Sequence, residues 1–235
     1  MTETLITAAW FVGAYLLGAV PFGLLIGFAH GVDIRLQGSR NIGATNCGRV
    51  CGTAPGVIAF LLDMAKGFLP VWAAFQWLPG LLDFPVGVSA WQRIHWLPPM
   101  IVALGPILGH VFPVYIRFRG GKAVATSLGV LLGFPMLRWT ALAAFGLWVL
   151  VVLVTRYVAV GSSVAALAFL GGYLWFNRGP AWASFLPVTG FVLALVAMVL
   201  ARHRANYGRL LRGEENRIGA RKEPPPVPPV CRTKP

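Results

Sequence analysis

The stretch Arg117-Phe118-Arg119-Gly120-Gly121-Lys122 sets three cations and two adjacent glycines between strongly apolar segments, in a chain whose charged residues amount to only 11%. A charge beside hydrocarbon is costly and calls for a partner. Paired glycines permit a tight turn and close approach of backbone N–H groups. Cations and free N–H groups at the start of a helix suit an anion such as phosphate. The stretch reads as a phosphate-binding turn at a membrane surface, and its apolar flanks decide the fold.

Working outward, the 235 residues are 57% hydrophobic, well above the usual share for a soluble domain. Apolar runs of bilayer-spanning length recur along the chain. They predict an all-α integral membrane protein of seven transmembrane helices, near residues 5–29, 53–77, 98–116, 123–134, 137–155, 157–176 and 182–201. The fourth is short and is expected to be tilted, to begin inside the glycine turn or to reach only part-way. The first has no basic leader or small-residue cleavage site before it and reads as a retained span. Residues 78–97, rich in Pro and Trp, resemble an interfacial belt. Residues 1–219 form the membrane domain, and the Pro-rich residues 220–235 read as a disordered tail.

With seven spans the termini face opposite sides. Sixteen of the 20 cations then fall on one side and three on the other, with Lys66 inside a span. The positive-inside rule places the N-terminus outside and the C-terminus in the cytosol, in the cell (inner) membrane, with the glycine-rich loops on the cytosolic surface. The net charge of +13 thus points to anionic headgroups and substrates rather than to nucleic acid. Cys47, Cys51 and Cys231 form no disulfide framework and supply too few ligands for a metal. Asp63 and Lys66, one helical turn apart, read as a structural ion pair within a span. The Met and Trp residues read as packing and belt positions.

Three loops share the cytosolic side: residues 38–52, 117–122 and 202–217. Positive-inside charge explains their side, but not Gly120 and Gly121, nor Gly38, Ser39 and Gly43 with Thr45 and Asn46. A phosphate there would take bidentate bonds from Arg, a point charge from Lys and N–H groups from the glycine turns.

These residues also carry a resemblance. Residues 38–49, GSRNIGATNCGR, resemble the first motif of the bacterial acyl-phosphate:glycerol-3-phosphate acyltransferases, the PlsY family. Gly109-His110-Val111-Phe112-Pro113, continuing through Phe118-Arg119-Gly120-Gly121-Lys122 to Thr126, resemble its second. Arg202-His203-Arg204 with Asn206, Arg209, Gly213, Glu215 and Arg217 resemble its third. Smaller matches are Leu62-Asp63 with Lys66-Gly67, and Arg156-Tyr157-Val158 with Ser162. The pattern departs at Arg40 and Ala123, where the family has glycine, at Ala159 for a serine and at Ala205 for an acidic residue.

The resemblance implies acyl transfer from acyl phosphate to the sn-1 hydroxyl of glycerol 3-phosphate. The products would be lysophosphatidate, the first intermediate of phospholipid synthesis, and phosphate, with no cofactor and no metal. It assigns Ser39, Lys122 and His203 to catalysis. Arg49, Asn46, Gly43, Gly120, Gly121, Ser162 and Asn206 would bind substrate. His203 and Asn206, three apart, would share one face of a helical extension of the last span. An acyl phosphate is already activated, so alignment and charge neutralisation are the main demands. The proton acceptor is either His203 or a substrate phosphate oxygen. The expected partners are the two substrates and the lipid bilayer, without nucleic acid; a monomer is compatible with this reading, which does not fix the oligomeric state. The alternative, a membrane carrier for a phosphorylated solute, would place charges and broken helices at midplane, whereas these cations gather at one surface. A metal-dependent phosphatidyl-alcohol transferase would need clustered aspartates, and Asp33, Asp63 and Asp83 are scattered.

Overall fold

The computed structural model describes residues 2–81, 97–177 and 186–219, and all regular structure among them is helical. In chain order the helices are α1 (Thr2–Ala19), α2 (Phe22–Ala29), α3 (Ala44–Cys51), α4 (Thr53–Leu81) and α5 (Leu97–Val111), then α6 (Val124–Gly133), α7 (Arg138–Thr155), α8 (Val158–Phe176), α9 (Leu186–Arg202) and α10 (Arg204–Leu211). A short 3-10 turn, Val114–Ile116, follows α5.

The first span, Glu3–Ala29, is α1 and α2 together, interrupted at Pro21. Proline lacks an N–H and ends the regular ladder of hydrogen bonds. The Val20 carbonyl at this break accepts from Lys66 Nζ at 2.7 Å. Lys66 also pairs with Asp63 at 2.6 Å, both side chains being at most 3% exposed. Further hydrogen bonds offset the desolvation of a buried ion pair, and the Val20 carbonyl supplies one to Lys66. Here the pair stitches the kink of the first span to α4, the structural role expected for it.

α5 is the central helix: 61% of its span is buried, against 11% for α7 at the periphery. Its contact with α1 is backbone-to-backbone, since a Cβ at Gly109 would overlap the Tyr15 carbonyl and the Gly18–Ala19 backbone. The α4–α6 crossing is alike: a Cβ at Gly129 would strike the Met64 carbonyl and one at Gly67 the Thr126 carbonyl. Small residues at membrane helix crossings gain dispersion contacts that lipid cannot replace. The core then fills with Val71, Ile107, Val130, Phe134, Phe191 and Val192.

Among the described residues five spans are long and apolar enough to cross a membrane, and a sixth if α9 and α10, bent by 44°, are one span. The fourth expected span, α6, has only 10 residues, about 15 Å of helix against a hydrocarbon core of about 30 Å. After the 3-10 turn the chain folds back along α5: Phe118 N–H donates to the Pro113 carbonyl (2.9 Å) and Gly121 N–H to the His110 carbonyl (3.1 Å). The turn thus returns the chain to His110, in the last turn of α5, before α6 begins at Val124. Arg93, Arg178, Cys231 and the tail lie outside the described residues, as does most of the connection at residues 78–97.

The expected continuous helix through His203 and Asn206 is also broken. His203 is the N-cap of α10 and Asn206 lies in its first turn, Asn206 N–H donating to the His203 carbonyl at 2.8 Å. One end of the bundle collects the ends of α2, α5, α7 and α9. There Arg202 donates to the Gly121 carbonyl, Arg49 to the Asn216 carbonyl and Ile218 N–H to the Arg156 carbonyl.

Candidate active site

At that end lies a cavity of about 120 Å3 whose wall includes Ser39, Arg49, Lys122, His203, Asn206 and Glu215. Three sequence-distant motifs therefore converge on one pocket.

The first motif supplies a helix N-terminus. Residues 38–43 loop back, stapled by buried Asn46: its Nδ2 donates to the Ile34 and Gln37 carbonyls (2.8 and 3.1 Å), and its Oδ1 accepts from Ser39 N–H (2.7 Å). Gly38, at φ 60°, sits so close to Asn46 that any side chain would collide with it. α3 then begins, its Gly43 carbonyl accepting from the Asn46 and Cys47 N–H groups. Ala44 and Thr45, whose N–H groups have no partner earlier in the helix, line the pocket. This is a ready-made anion site. Gly43 N–H itself is taken by Asn41 Oδ1 at 2.9 Å. The Ser39 hydroxyl has no partner among the described residues, and Ser39 lines the pocket.

Arg49, in the last turn of α3, is the strongest sign of a ligand. Its Nε is buried and has no acceptor among the described residues, and only Nη2 is engaged, with the Asn216 carbonyl at 3.3 Å. A buried, unpaired guanidinium nitrogen carries a full desolvation cost unless an anion meets it. Burial pushes its ionisation down while Glu215 opposes that.

Lys122 enters from the second motif, between the re-entrant turn and α6. Its Nζ donates to Asn206 Oδ1. Asn206 Nδ2 donates to Glu215 Oε1 (2.8 Å), and Glu215 Oε2 pairs with Arg209 (2.8 Å). Asn206 is thus held in one orientation, presenting its carbonyl to the ammonium. Burial outweighs Glu215 and brings the Lys122 ammonium down from 10.5 to about 8. His203 Nδ1 faces the Val199 carbonyl at 2.8 Å. Only an N–H can pair with a carbonyl, so Nδ1 carries the proton and Nε2 keeps its lone pair.

Gly120 and Gly121 stand behind the pocket rather than on its wall. Gly121 N–H is taken by His110, and a Cβ there would overlap the His110 ring. A Cβ on Gly120 would meet the His110 and Val111 carbonyls. The two glycines let the turn pack against α5, which sets Lys122 in place. His110 is pinned in turn by Thr126 Oγ1 (3.1 Å). Both glycine departures fall at left-handed backbone: Arg40 and Ala123 have φ 57°, where glycine costs least.

Ser162 lies in a second, adjoining cavity of about 80 Å3, an apolar groove between α6, α7, α8 and α9, where its Oγ accepts from Trp148 Nε1 at 3.2 Å. Phe60, Val124 and Trp148 line both cavities. Phe60, Phe145 and Trp148 stack with centroids 5.8–6.2 Å apart, so an aromatic wall divides the polar pocket from the apolar groove. Trp148, expected to be a packing or belt residue, is part of that wall, as is Phe60. Only a three-dimensional neighbour relation marks them; no motif contains Phe60 or Trp148. Among the described residues no group of three or more His, Cys, Asp or Glu side chains is placed to hold a metal.

The sequence model of the glycerol-3-phosphate acyltransferase family matches residues 8–213. Among curated relatives, the glycerol-3-phosphate acyltransferase of Bordetella avium is 38% identical over 220 residues, 93% of this chain and 96% of its own. That of Anaeromyxobacter sp. is 39% identical over 220 residues, 93% and 99% of the two chains. The fold matches crystal structures of PlsY, an integral membrane glycerol 3-phosphate acyltransferase. The glycerol 3-phosphate form superposes with TM-score 0.75 at 34% identity, covering 91% of this chain and 96% of that one, and the lysophosphatidic acid form with TM-score 0.72. The chain therefore belongs to the glycerol-3-phosphate acyltransferase family of integral membrane proteins.

Proposed function

We propose that this protein transfers an acyl group from acyl phosphate to the sn-1 hydroxyl of glycerol 3-phosphate, releasing lysophosphatidate and inorganic phosphate. The observation that carries this reading is the junction of a phosphate-suited pocket with an apolar groove across Phe60, Val124 and Trp148. One substrate class has to bring both a phosphate and a hydrocarbon chain to that junction.

In this reading the N–H groups opening α3, Arg49 and Lys122 neutralise the phosphates, each charged hydrogen bond contributing about 1.5–3 kcal/mol. The groove between α6 and α9 takes the acyl chain. Ser39, with its hydroxyl on the pocket wall, donates to a phosphoryl or carbonyl oxygen. His203 Nε2 accepts from the neighbouring sn-2 hydroxyl and so orients the sn-1 hydroxyl towards the acyl carbon. An imidazolium there would share a wall with Lys122 and Arg49, and like charges disfavour it. A phosphate oxygen of the substrate therefore takes the proton as the hydroxyl oxygen bonds to the acyl carbon and the acyl–phosphate bond breaks. Catalysis rests on positioning and charge neutralisation.

The same reading assigns seven crossings, counting α6 with its re-entrant turn and α9 as the seventh. The pocket then faces the cytosol, the N-terminus lies outside, and the membrane is the inner one. A monomer suffices for this reading, since every group it invokes comes from one chain. Residues 1–219 form the catalytic unit.

The test is purified protein with palmitoyl phosphate and labelled glycerol 3-phosphate in EDTA. Labelled lysophosphatidate supports the reading; its absence, or activity with acyl-CoA alone, overturns it.

A further inference from the structure

Beside the pocket, and separate from it, lies a wider surface basin of about 590 Å3. Arg35, Arg40, Arg119 and Arg202 converge there from three stretches far apart in sequence, against a single acid, Asp33. None of the four lines the catalytic pocket; Asn41 alone borders both. Asp33 is committed to Arg35, which it holds at 2.7 Å. Arg202 is held by the Gly120 and Gly121 carbonyls. Arg40 and Arg119 have no partner among the described residues, so the basin keeps a net positive charge with two uncommitted guanidinium groups.

Topological charge alone does not account for this arrangement. Arg40 and Phe118, on opposite stretches of the basin, have φ 57° and 61°, a left-handed backbone that side-chain-bearing residues adopt only at a cost. The floor and lip also carry apolar side chains: Ile42, Ile116, Phe118 and Leu36, the last two 58% and 75% exposed. A small soluble phosphate has no use for exposed hydrocarbon, whereas a lipid brings a phosphate and apolar carbon together. The basin sits where α2, α5 and α9 end, at the level of a headgroup layer, where arginines and aromatic residues anchor to lipid.

We propose that this basin binds the phosphate headgroup of an anionic phospholipid, with Arg40 and Arg119 as the contacting cations. A lipid in this position lies one residue, Asn41, away from the pocket.

The experiment is native mass spectrometry of the full-length protein, released from nanodiscs of equal parts phosphatidylglycerol and phosphatidylcholine, with no substrate added. The expected result is preferential retention of phosphatidylglycerol, lost by about tenfold in the Arg40→Gln/Arg119→Gln protein. Retention should survive in Arg40→Lys/Arg119→Lys, which keeps the charge. A matched melting temperature for the Gln protein shows that it is folded; should it melt early, the Lys protein and a charge-reversed Arg119→Glu protein carry the comparison. Equal retention by wild type and every charge-removing variant overturns the proposal. So does complete displacement of the lipid by millimolar inorganic phosphate, which would assign the basin to a soluble anion. Because no turnover is measured, these outcomes stand apart from those of the acyl-transfer assay.

Discussion

Lys122 offers a quantitative check because burial brings its ammonium down to about 8. Raising the pH from 7 to 9 takes its protonated fraction from about nine-tenths to about one-tenth. A phosphate monoester is already a dianion across this interval, its second ionisation lying near 6. If the ammonium is what meets the phosphate, kcat/KM for glycerol 3-phosphate, which reports the free enzyme, should fall about tenfold over that range. The Lys122→Arg protein, whose guanidinium stays charged, should give a flat profile over the same pH interval, whatever its absolute rate. Stability moves the opposite way. A base whose folded pKa lies below its unfolded value binds fewer protons in the folded state, so this group makes the fold more stable as pH rises from about 8 towards 10.5. Falling kcat/KM in this window therefore cannot come from this group unfolding the protein. The assay is initial-rate kinetics at constant ionic strength from pH 6.5 to 9.5, as experimental settings. A wild-type profile flat to pH 9.5, or a Lys122→Arg profile that still falls tenfold, would refute the role given to the ammonium.

His203→Gln keeps a hydrogen-bonding side chain but cannot take up a proton. Since His203 is assigned to orientation, the Gln protein should retain activity within about tenfold of wild type while His203→Ala loses about 100-fold or more. Equal losses in both would make the imidazole the base. In the groove, Ala166→Trp should exclude long acyl chains, so that kcat/KM for palmitoyl phosphate collapses while the KM for glycerol 3-phosphate stays within about twofold; an unchanged kcat/KM for palmitoyl phosphate would dissociate the groove from the acyl chain. At the α4–α6 crossing, Gly129→Ala drives a methyl into the Met64 carbonyl and should destabilise the protein by about 1–3 kcal/mol, measured as earlier thermal unfolding in detergent. An unchanged unfolding temperature would show that the two helices part without cost.

Much of this was readable before any coordinates. Long apolar runs announced the spans, because hydrocarbon forces backbone groups into helices. Three polar, glycine-rich loops in an apolar chain announced the pocket, and Ser39, Arg49, Lys122, His203 and Asn206 do line one cavity. Glycine was ambiguous, since the same residue serves a close-approaching ligand and a close-approaching helix. Gly120 and Gly121 turned out to pack on α5, and Asn46 to staple its own loop. Phe60 and Trp148 were illegible because an aromatic residue on a membrane helix looks the same facing lipid, core or substrate. The short α6 was hinted at by its length, but the turn before it, folded back onto the last turn of α5, rests on a hydrogen bond between Gly121 and His110 that no local pattern encodes. Arg49 and Asn216 meet across 167 positions, a contact no local pattern encodes.

The central claim is that one pocket holds the phosphate of the acceptor through Arg49 and its neighbours. Calorimetric titration of glycerol 3-phosphate into wild type and Arg49→Gln, with no acyl donor and with matched melting temperatures, tests it most directly. Loss of one charged hydrogen bond, about 1.5–3 kcal/mol, predicts a Kd weaker by about 10- to 150-fold. An unchanged Kd in the folded variant would contradict the account.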